Sequence, residues 1–454
     1  MERHKIVLFI FGVIALLAVL CSFFPADGIQ IAGDAKLHFP KIKEVMGSAK
    51  EEEIMSPEEV IAMREAAIRK ARQGELEQYI KNDPGRFYMP GDDMTYLDRF
   101  FKALDKADRQ QVRIVHYGDS QLEEDRITCT IRDRMQAEFG GGGVGLLPAI
   151  QYVTLREGQS ASAELPVFMA FGDPELRAGT SKYGPMARMS RFSGSVTFTT
   201  YPFKTNTGAA RYFNRVTVYA GNLHGTLHGT VKGLKQEAAP GSDICKLSFS
   251  VPDSTTKASL TLSGAADLYG ISFDNDCGVC VDNVPMRGCS GTIFTTLNSN
   301  QLSYFFKNSG TRMIIMQYGG NTVPYTKTED AVNKYCSSVR RQIELMKKVA
   351  PDAVIVFIGP SDMSTSIAGK RQTYPILPKY IDALKATVNE CGAAYWDLYQ
   401  VMGGKDSMVQ WVKASPALAG PDYIHFTPKG SEKVGNLFAD ALMLYYDYYK
   451  LRTK

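Results

Sequence analysis

The sequence predicts an α/β protein: a mostly parallel sheet covered by helices on both faces, interrupted by an inserted β-sandwich or jelly roll. Three observations predict it. Strand-like and helix-like runs alternate from about Met94 to Phe139 and again from Gly278 to Tyr449. Between about 150 and 275 only short alternating apolar/polar runs occur, bounded by Gly, Pro, Asn and Asp. No amphipathic helical pattern longer than two turns interrupts that middle stretch.

The N-terminal segment, residues 1–25, opens with Arg3, His4 and Lys5 before an uncharged apolar run, Ile6 to Phe24. At 1.5 Å per residue this run spans roughly 28 Å, one hydrocarbon core. A cleavable signal peptide usually has a shorter apolar region and a small-x-small cleavage site, which Phe24-Pro25-Ala26 fits poorly. A lipoprotein reading of Cys21 meets bulky Leu20 where a small residue is expected. The expectation is an uncleaved inner-membrane anchor over residues 6–24, with a cleaved signal peptide as the alternative. Positive residues on the short flank place the N-terminus inside and the remainder outside.

Residues 26–90 read as a tether and helical spacer. Ser56-Pro57-Glu58-Glu59 opens a helix to about Tyr79, with Ser56 as N-cap, Pro57 at N1 and Glu59 at N3. Residues 91–149 begin the α/β part: helix Leu97–Leu104, strand Val112–Tyr117 and helix Arg126–Phe139. The run "FGGGGVGLLP" follows a helix rather than opening one, so it lacks the setting of a dinucleotide loop and reads as a C-cap and loop. Residues 150–275 carry "GSVTFTTY", "NRVTVYAG", "GTLHGTVKG", "CKLSFSV" and "ASLTLSG", five strands of a β-sandwich. Its aromatics Phe198, Tyr201, Phe203, Tyr212 and Phe213 suit either a core or a sugar surface, core being the commoner fate. Residues 276–454 resume the α/β pattern with strands Gly278–Val284, Met313–Tyr318, Val354–Ile358 and Ala394–Leu398. Helices fall at Glu329–Val349, Pro378–Cys391 and Lys429–Tyr449.

Composition narrows the function. With 44% hydrophobic and 22% charged residues the chain is an ordinary globular protein. A net charge of +4 over 454 residues, without a Lys/Arg-rich tract, argues against a nucleic-acid partner. Cys277 and Cys280 could be half a zinc site, but no second pair completes it, so a disulfide or two buried thiols is expected.

The chemistry starts at "HYGDSQLEEDR". Ser120 follows a strand at the carboxyl edge of the expected sheet, where such folds place their sites. A helix start there would leave backbone N–H groups free for an oxyanion, and Gly118 permits a backbone that a side chain would forbid. Taken alone, Gly-Asp-Ser is more often simply a strand-to-helix turn. A nucleophilic serine needs a base, and the base needs an acceptor on its other nitrogen. "GPDYIHFTPKG" supplies both, with Asp422 three residues before His425. Of six histidines, His4 and His38 belong to anchor and tether, His116 lies within a strand, and His224 and His228 lie in the β insert. His425 is the candidate base. Asn321, in "MQYGGNTVPY", follows a strand through two glycines and can donate its amide to an oxyanion. Ser361 and Ser290 are expected as loop residues. Asp119 is a rival acid, less favoured than Asp422 because Asp422 sits beside the base.

Together these residues resemble the SGNH, or GDSL-type, hydrolases. Gly118-Asp119-Ser120 matches the first block, Gly319-Gly320-Asn321 the G-x-N block and Asp422-Tyr423-Ile424-His425 the D-x-x-H block. The remaining block is a glycine whose N–H lines the oxyanion hole; Gly288, in "VDNVPMRGCSGT", is the choice and Gly291 the fallback. Gln121 replaces the name-giving leucine, a position without a catalytic role in the family. "RIVHYGDSQLEEDRIT", "FIGPSDMS" and "YWDLYQVMGG" are closer to the peptidoglycan and polysaccharide O-acetylesterases of Gram-negative envelopes, over about 94–450. The resemblance implies a flavodoxin-like parallel sheet with a carbohydrate-binding-module-like β insert. It also implies a periplasmic serine esterase acting on an acetylated envelope glycan. Ser120, His425 and Asp422 would form the triad, and Ser120, Gly288 and Asn321 the oxyanion hole, with no metal or cofactor. The same triad would serve a glycan O-acetyltransferase, with a membrane O-acyltransferase as partner. A third reading is a non-catalytic glycan-binding envelope protein, against which the intact blocks argue.

Overall fold

Strands that are buried on both faces read as mainly apolar runs, and Val354–Ile358, VIVFI, is the plainest of them in the central sheet. The computed structural model describes residues 3–32, 35–41, 57–151 and 158–453. The chain forms two units, Met1–Arg72 and Gln73–Lys454.

In the first unit, helix α1 (Arg3–Phe23) carries the apolar run. Its span His4–Phe23 has a mean hydropathy of 3.0 and is long and apolar enough to cross a membrane. A short hairpin pairs Ile29–Ala32 with Ala35–Leu37. Helix α2 (Pro57–Asn82) runs one turn beyond the expected end near Tyr79 and continues into the second unit. Its expected N-cap, Ser56, lies outside the described residues.

The second unit begins its sheet with β1 (Phe87–Tyr88), followed by helix α3 (Asp98–Leu104), β2 (Gln111–Gly118) and helix α4 (Thr128–Phe139). After the antiparallel strands described below come β10 (Gly278–Pro285), α5 (Ser299–Asn308), β11 (Thr311–Gln317), α6 (Glu329–Val349) and β12 (Val354–Ile358). The chain closes with α7 (Leu377–Glu390), β13 (Ala394–Trp396), α8 (Leu398–Met402), α9 (Ser407–Lys413) and α10 (Pro428–Thr453). The six-stranded sheet has the order β10-β2-β11-β12-β13-β1, parallel except for β1 at the edge. Its five parallel strands follow the 2-1-3-4-5 order of flavodoxin-like folds. One face packs Ile131 and Met135 of α4 with Val434 and Phe438 of α10; the other packs Phe305 of α5, Ile343 of α6 and Leu384 of α7.

Register positions the site. Gly118 at the end of β2 pairs with Pro285 at the end of β10 and with Gln317 at the end of β11. Three strand ends are therefore level, and whatever follows each within a few residues shares one rim.

The middle of the chain forms a nine-stranded antiparallel assembly. Its main strands are β3 (Gly143–Leu147), β4 (Arg188–Thr200), β5 (Phe213–Gly221), β6 (Leu227–Val231), β7 (Leu234–Ala238), β8 (Cys245–Thr255) and β9 (Ser259–Asp274). The long β9 joins the assembly: its first half lies between β4 and β6, its second half between β5 and β3. Phe198, Phe203 and Phe213 are core, whereas Tyr201 and Tyr212 are exposed.

Three local expectations change. Gly140 does cap α4, but Gly143–Leu147 is a strand, not a loop. A Cβ on Gly143 would stand 2.0 Å from Phe273 O, and one on Gly145 2.3 Å from Asp282 Oδ1. Those glycines admit close backbone approach, a packing reason that periodicity does not reveal. No α-helix starts at Arg126: a 3₁₀ turn covers Ser120–Asp125, broken by Glu124 at φ +58, and α4 starts at Thr128. Gly118 lies outside the positive-φ region; glycine is needed because a Cβ would meet Leu122 Cδ1 at 2.6 Å.

Candidate active site

Ser120 stands two residues past the level strand ends, Gly288 three past β10 and Asn321 four past β11. The fourth contribution comes from the loop ahead of α10. There Gly420 donates its N–H to His425 O (2.8 Å), and Tyr423 donates to Gly420 O (3.0 Å). Tyr423 adopts φ +61, which closes the loop tightly enough for Asp422 to face the ring three residues on.

His425 Nε2 lies 2.8 Å from Ser120 Oγ, across 305 residues of chain. Its Nδ1 lies 2.7 Å from Asp422 Oδ2. An ionised carboxylate only accepts, so the ring proton belongs on Nδ1 and Nε2 is left to accept from the Ser120 hydroxyl. Asp422 Oδ1 accepts the N–H groups of Ile424 (3.0 Å) and His425 (3.1 Å). Partial burial alone would raise the Asp422 carboxyl, but the His425 ring and these two N–H donors hold it below its usual value.

Asp119 is arranged differently. It is buried, its Oδ1 accepts the Gln121 N–H (3.0 Å) and its Oδ2 accepts from Asn321 Nδ2 (3.1 Å). Burial pushes this carboxyl up to about 6. Asn321 Nδ2 also donates to Cys289 O (3.1 Å). The Asn321 amide is thus held at the rim from two sides.

These residues line a cavity of about 640 Å³, within the usual range of small-molecule sites. Ser120, Gly288, Asn321 and His425 all face it. Gly291 does not line it; a Cβ there would meet the Tyr318 ring at 2.5 Å. Ser361 lines the cavity without a base, and its neighbour Asp362 accepts from Thr373 Oγ1 and Met408 N–H at 2.8 Å each, anchoring a loop. Ser290 bonds Thr292 (3.0 Å). His116 is buried between Gln317 Oε1 (3.1 Å) and Thr128 Oγ1 (2.9 Å), and burial pushes its pKa down to about 3. His224 and His228 are exposed.

Several lining residues carry no signal in the sequence. Arg126 donates to the carbonyls of Ser120 (2.9 Å) and Glu123 (2.8 Å). Arg287, beside Gly288, pairs with the buried Glu123 carboxylate. Tyr325 stands at the mouth, 83% exposed. The Arg126 and Glu123 positions lie inside the "GDSQLEEDR" block, which is the one hint of their placement. Cys277 and Cys280 form no disulfide with each other: Cys280 is a buried thiol and Cys277 a partly buried one.

No protein-family model and no curated protein matches the chain. Among solved structures, a peptidoglycan O-acetylesterase is similar at 19% identity and a TM-score of 0.62, covering 78% of this chain and 97% of its own. A family two carbohydrate esterase from Cellvibrio japonicus follows at 10% identity and a TM-score of 0.25, covering 64% of this chain and 98% of its own. An acetyl xylan esterase is similar at 13% identity and a TM-score of 0.26, covering 36% and 81%. The first of these likenesses shows the fold. The chain shares that fold, a parallel α/β sheet accompanied by additional β-rich sheets.

Proposed function

We propose that this protein is a serine esterase that removes O-acetyl groups from an envelope glycan through an acetyl-serine intermediate. The observation that carries the reading is the unbroken relay Ser120–His425–Asp422, at 2.8 and 2.7 Å, opening into a cavity in a fold shared with a peptidoglycan O-acetylesterase.

In this reading His425 Nε2 takes the Ser120 proton as Oγ attacks the acetyl carbonyl carbon. Asp422 keeps the Nδ1 tautomer and stabilises the imidazolium. The tetrahedral oxyanion is met by the N–H groups of Ser120 and Gly288 and by Asn321 Nδ2. One such donor is worth about 3–4 kcal/mol in acyl transfer. Asn321 draws one of its two hydrogens away from Asp119 or the Cys289 carbonyl to do so. Collapse breaks the ester bond, and His425 gives the proton to the departing sugar oxygen, which leaves as a hydroxyl. Water, deprotonated by His425, then attacks the acetyl-serine carbonyl; collapse breaks the Ser120 Oγ–acyl bond, frees acetate and returns the proton from His425 to Oγ. Tyr325 offers an exposed aromatic face against which the C–H face of a pyranose can lie.

In the same proposal, residues 1–25 anchor the protein in the inner membrane and 26–90 act as tether and spacer. Segments 91–149 and 276–454 form the catalytic domain on the periplasmic side, and the β insert 150–275 positions the glycan.

The test is acetate release by the full chain, purified in detergent, from O-acetylated peptidoglycan and from an acetylated hemicellulose. Acetate is expected from peptidoglycan, with a loss of about 10⁴-fold or more in Ser120→Ala. A Ser120→Ala protein as active as the parent overturns the esterase. Acetyl groups appearing on an added glycan acceptor instead of as acetate would assign the same relay to transfer.

A further inference from the structure

Gln121 has no part in the relay just described, yet its side chain brackets the histidine. Gln121 Nε2 donates to the carbonyl of Ile424 (2.8 Å), and Gln121 Oε1 accepts the N–H of Phe426 (3.3 Å). Ile424 and Phe426 are the two neighbours of His425. The Gln121 backbone N–H is itself fixed by Asp119 Oδ1 at 3.0 Å. One planar amide thus joins the residue after Ser120 to both sides of His425. A primary amide offers a donor and an acceptor in one plane, which is what two neighbouring backbone groups on one edge require. The leucine that names the family motif could make neither bond.

The His425 loop needs such a tie. The side chains of His425 and Asp422 are 38% and 46% exposed, so packing alone does not fix them. Other anchors attach the loop elsewhere: Tyr423 O accepts from the Ser364 N–H (3.2 Å), and Thr427 N–H donates to Leu418 O (3.1 Å). Arg126 reaches from Ser120 O to Phe426 O, but its second bond is long, at 3.4 Å.

We infer that Gln121 is a positioning residue, a polar clamp that holds the His425 loop in register with Ser120 so that the 2.8 Å Oγ–Nε2 contact exists before substrate arrives. This rests on the proposed esterase reading. A misplacement of about 1 Å between reacting groups can cost on the order of 10²-fold in rate. The clamp acts on the approach of base to nucleophile, so its loss falls on kcat and not on binding.

The experiment uses the full chain with a small acetyl ester, measuring kcat, KM and Tm for the parent, Gln121→Leu, Gln121→Glu and Ser120→Ala between pH 5 and 8. Gln121→Leu is expected to lower kcat about 10- to 100-fold with KM within about twofold. Gln121→Glu keeps the acceptor for Phe426 but, once ionised, opposes the Ile424 carbonyl; protonated, it regains the donor. Its kcat relative to the parent should therefore rise as pH falls toward 5. A purely structural role would shift Tm and leave that ratio flat, which overturns the inference. Equally, kcat of Gln121→Leu within twofold of the parent overturns it. If Gln121→Leu fails to fold, the pH-dependent ratio of Gln121→Glu decides. Inactive Ser120→Ala beside fully active Gln121→Leu removes the clamp alone; active Ser120→Ala removes the esterase as well.

Discussion

Two loops meet at the cavity, and each sets a carboxylate beside a candidate reacting group. In the loop after β2, Asp119 precedes Ser120; in the loop before α10, Asp422 precedes His425 by three residues. Their surroundings push them in opposite directions. Asp119 is buried and raised to about 6, whereas Asp422 is half open and lowered by the ring and two backbone donors. Adjacency to the serine does not make a triad acid. Asp119 spends both oxygens on the Gln121 N–H and the Asn321 amide, while Asp422 reaches Nδ1 at 2.7 Å. The first organises the rim; the second is placed to hold the base.

The largest expected effect breaks or upholds that contrast directly. Asp422→Asn should lower kcat by about 10³- to 10⁴-fold, because an amide at this position admits the wrong imidazole tautomer. Asp119→Asn should cost about tenfold, through a looser Asn321 amide. Equal losses in steady-state acetate release would erase the distinction. On the third side of the cavity, Tyr325→Ala should raise KM about tenfold for acetylated glycan and leave a small ester unaffected, a split read in paired kinetics.

A packing prediction probes the β2 loop. Gly118→Ala places a methyl 2.6 Å from Leu122 Cδ1 and should cost about 1–3 kcal/mol, read in chemical denaturation.

The smallest effect sharpens the electrostatic contrast. Between its ordinary 3.8 and about 6, Asp119 holds more proton in the folded than in the unfolded chain. Its contribution to stability therefore falls as pH rises through that window and levels above about 6. Asp422, lowered from 3.8, contributes stability that is full above about 4 and lost as pH falls through its folded value. Thermal melts from pH 3 to 8 should show Asp119→Asn flattening the first arm and Asp422→Asn the second. A single shared arm would contradict opposite shifts.

Much of the sheet is legible in the chain because buried parallel strands leave continuous apolar runs: Val354–Ile358 is a strand over the expected residues, and Glu329–Val349 is a helix over the expected range. The short helices Ser299–Asn308, Leu398–Met402 and Ser407–Lys413 are too brief for a helical period to show in the chain. Strand β3 was hidden by glycines whose role is close approach to β9 and β10. The role of Gln121 is not legible in the chain because a motif position says nothing of which backbone edge will lie opposite.

What neighbours along the chain dictate is local: the strand ending at Gly118, the apolar helix at the N-terminus, and a carboxylate and an imidazole close enough along the chain to pair in one turn. Tertiary structure alone decided that the ends of β2, β10 and β11 lie level, that Asp119 is buried while Asp422 is open, and that Gln121 faces the backbone around His425. Period and spacing are properties of neighbours along the chain. Register, desolvation and a partner 305 residues away exist only after distant segments have packed.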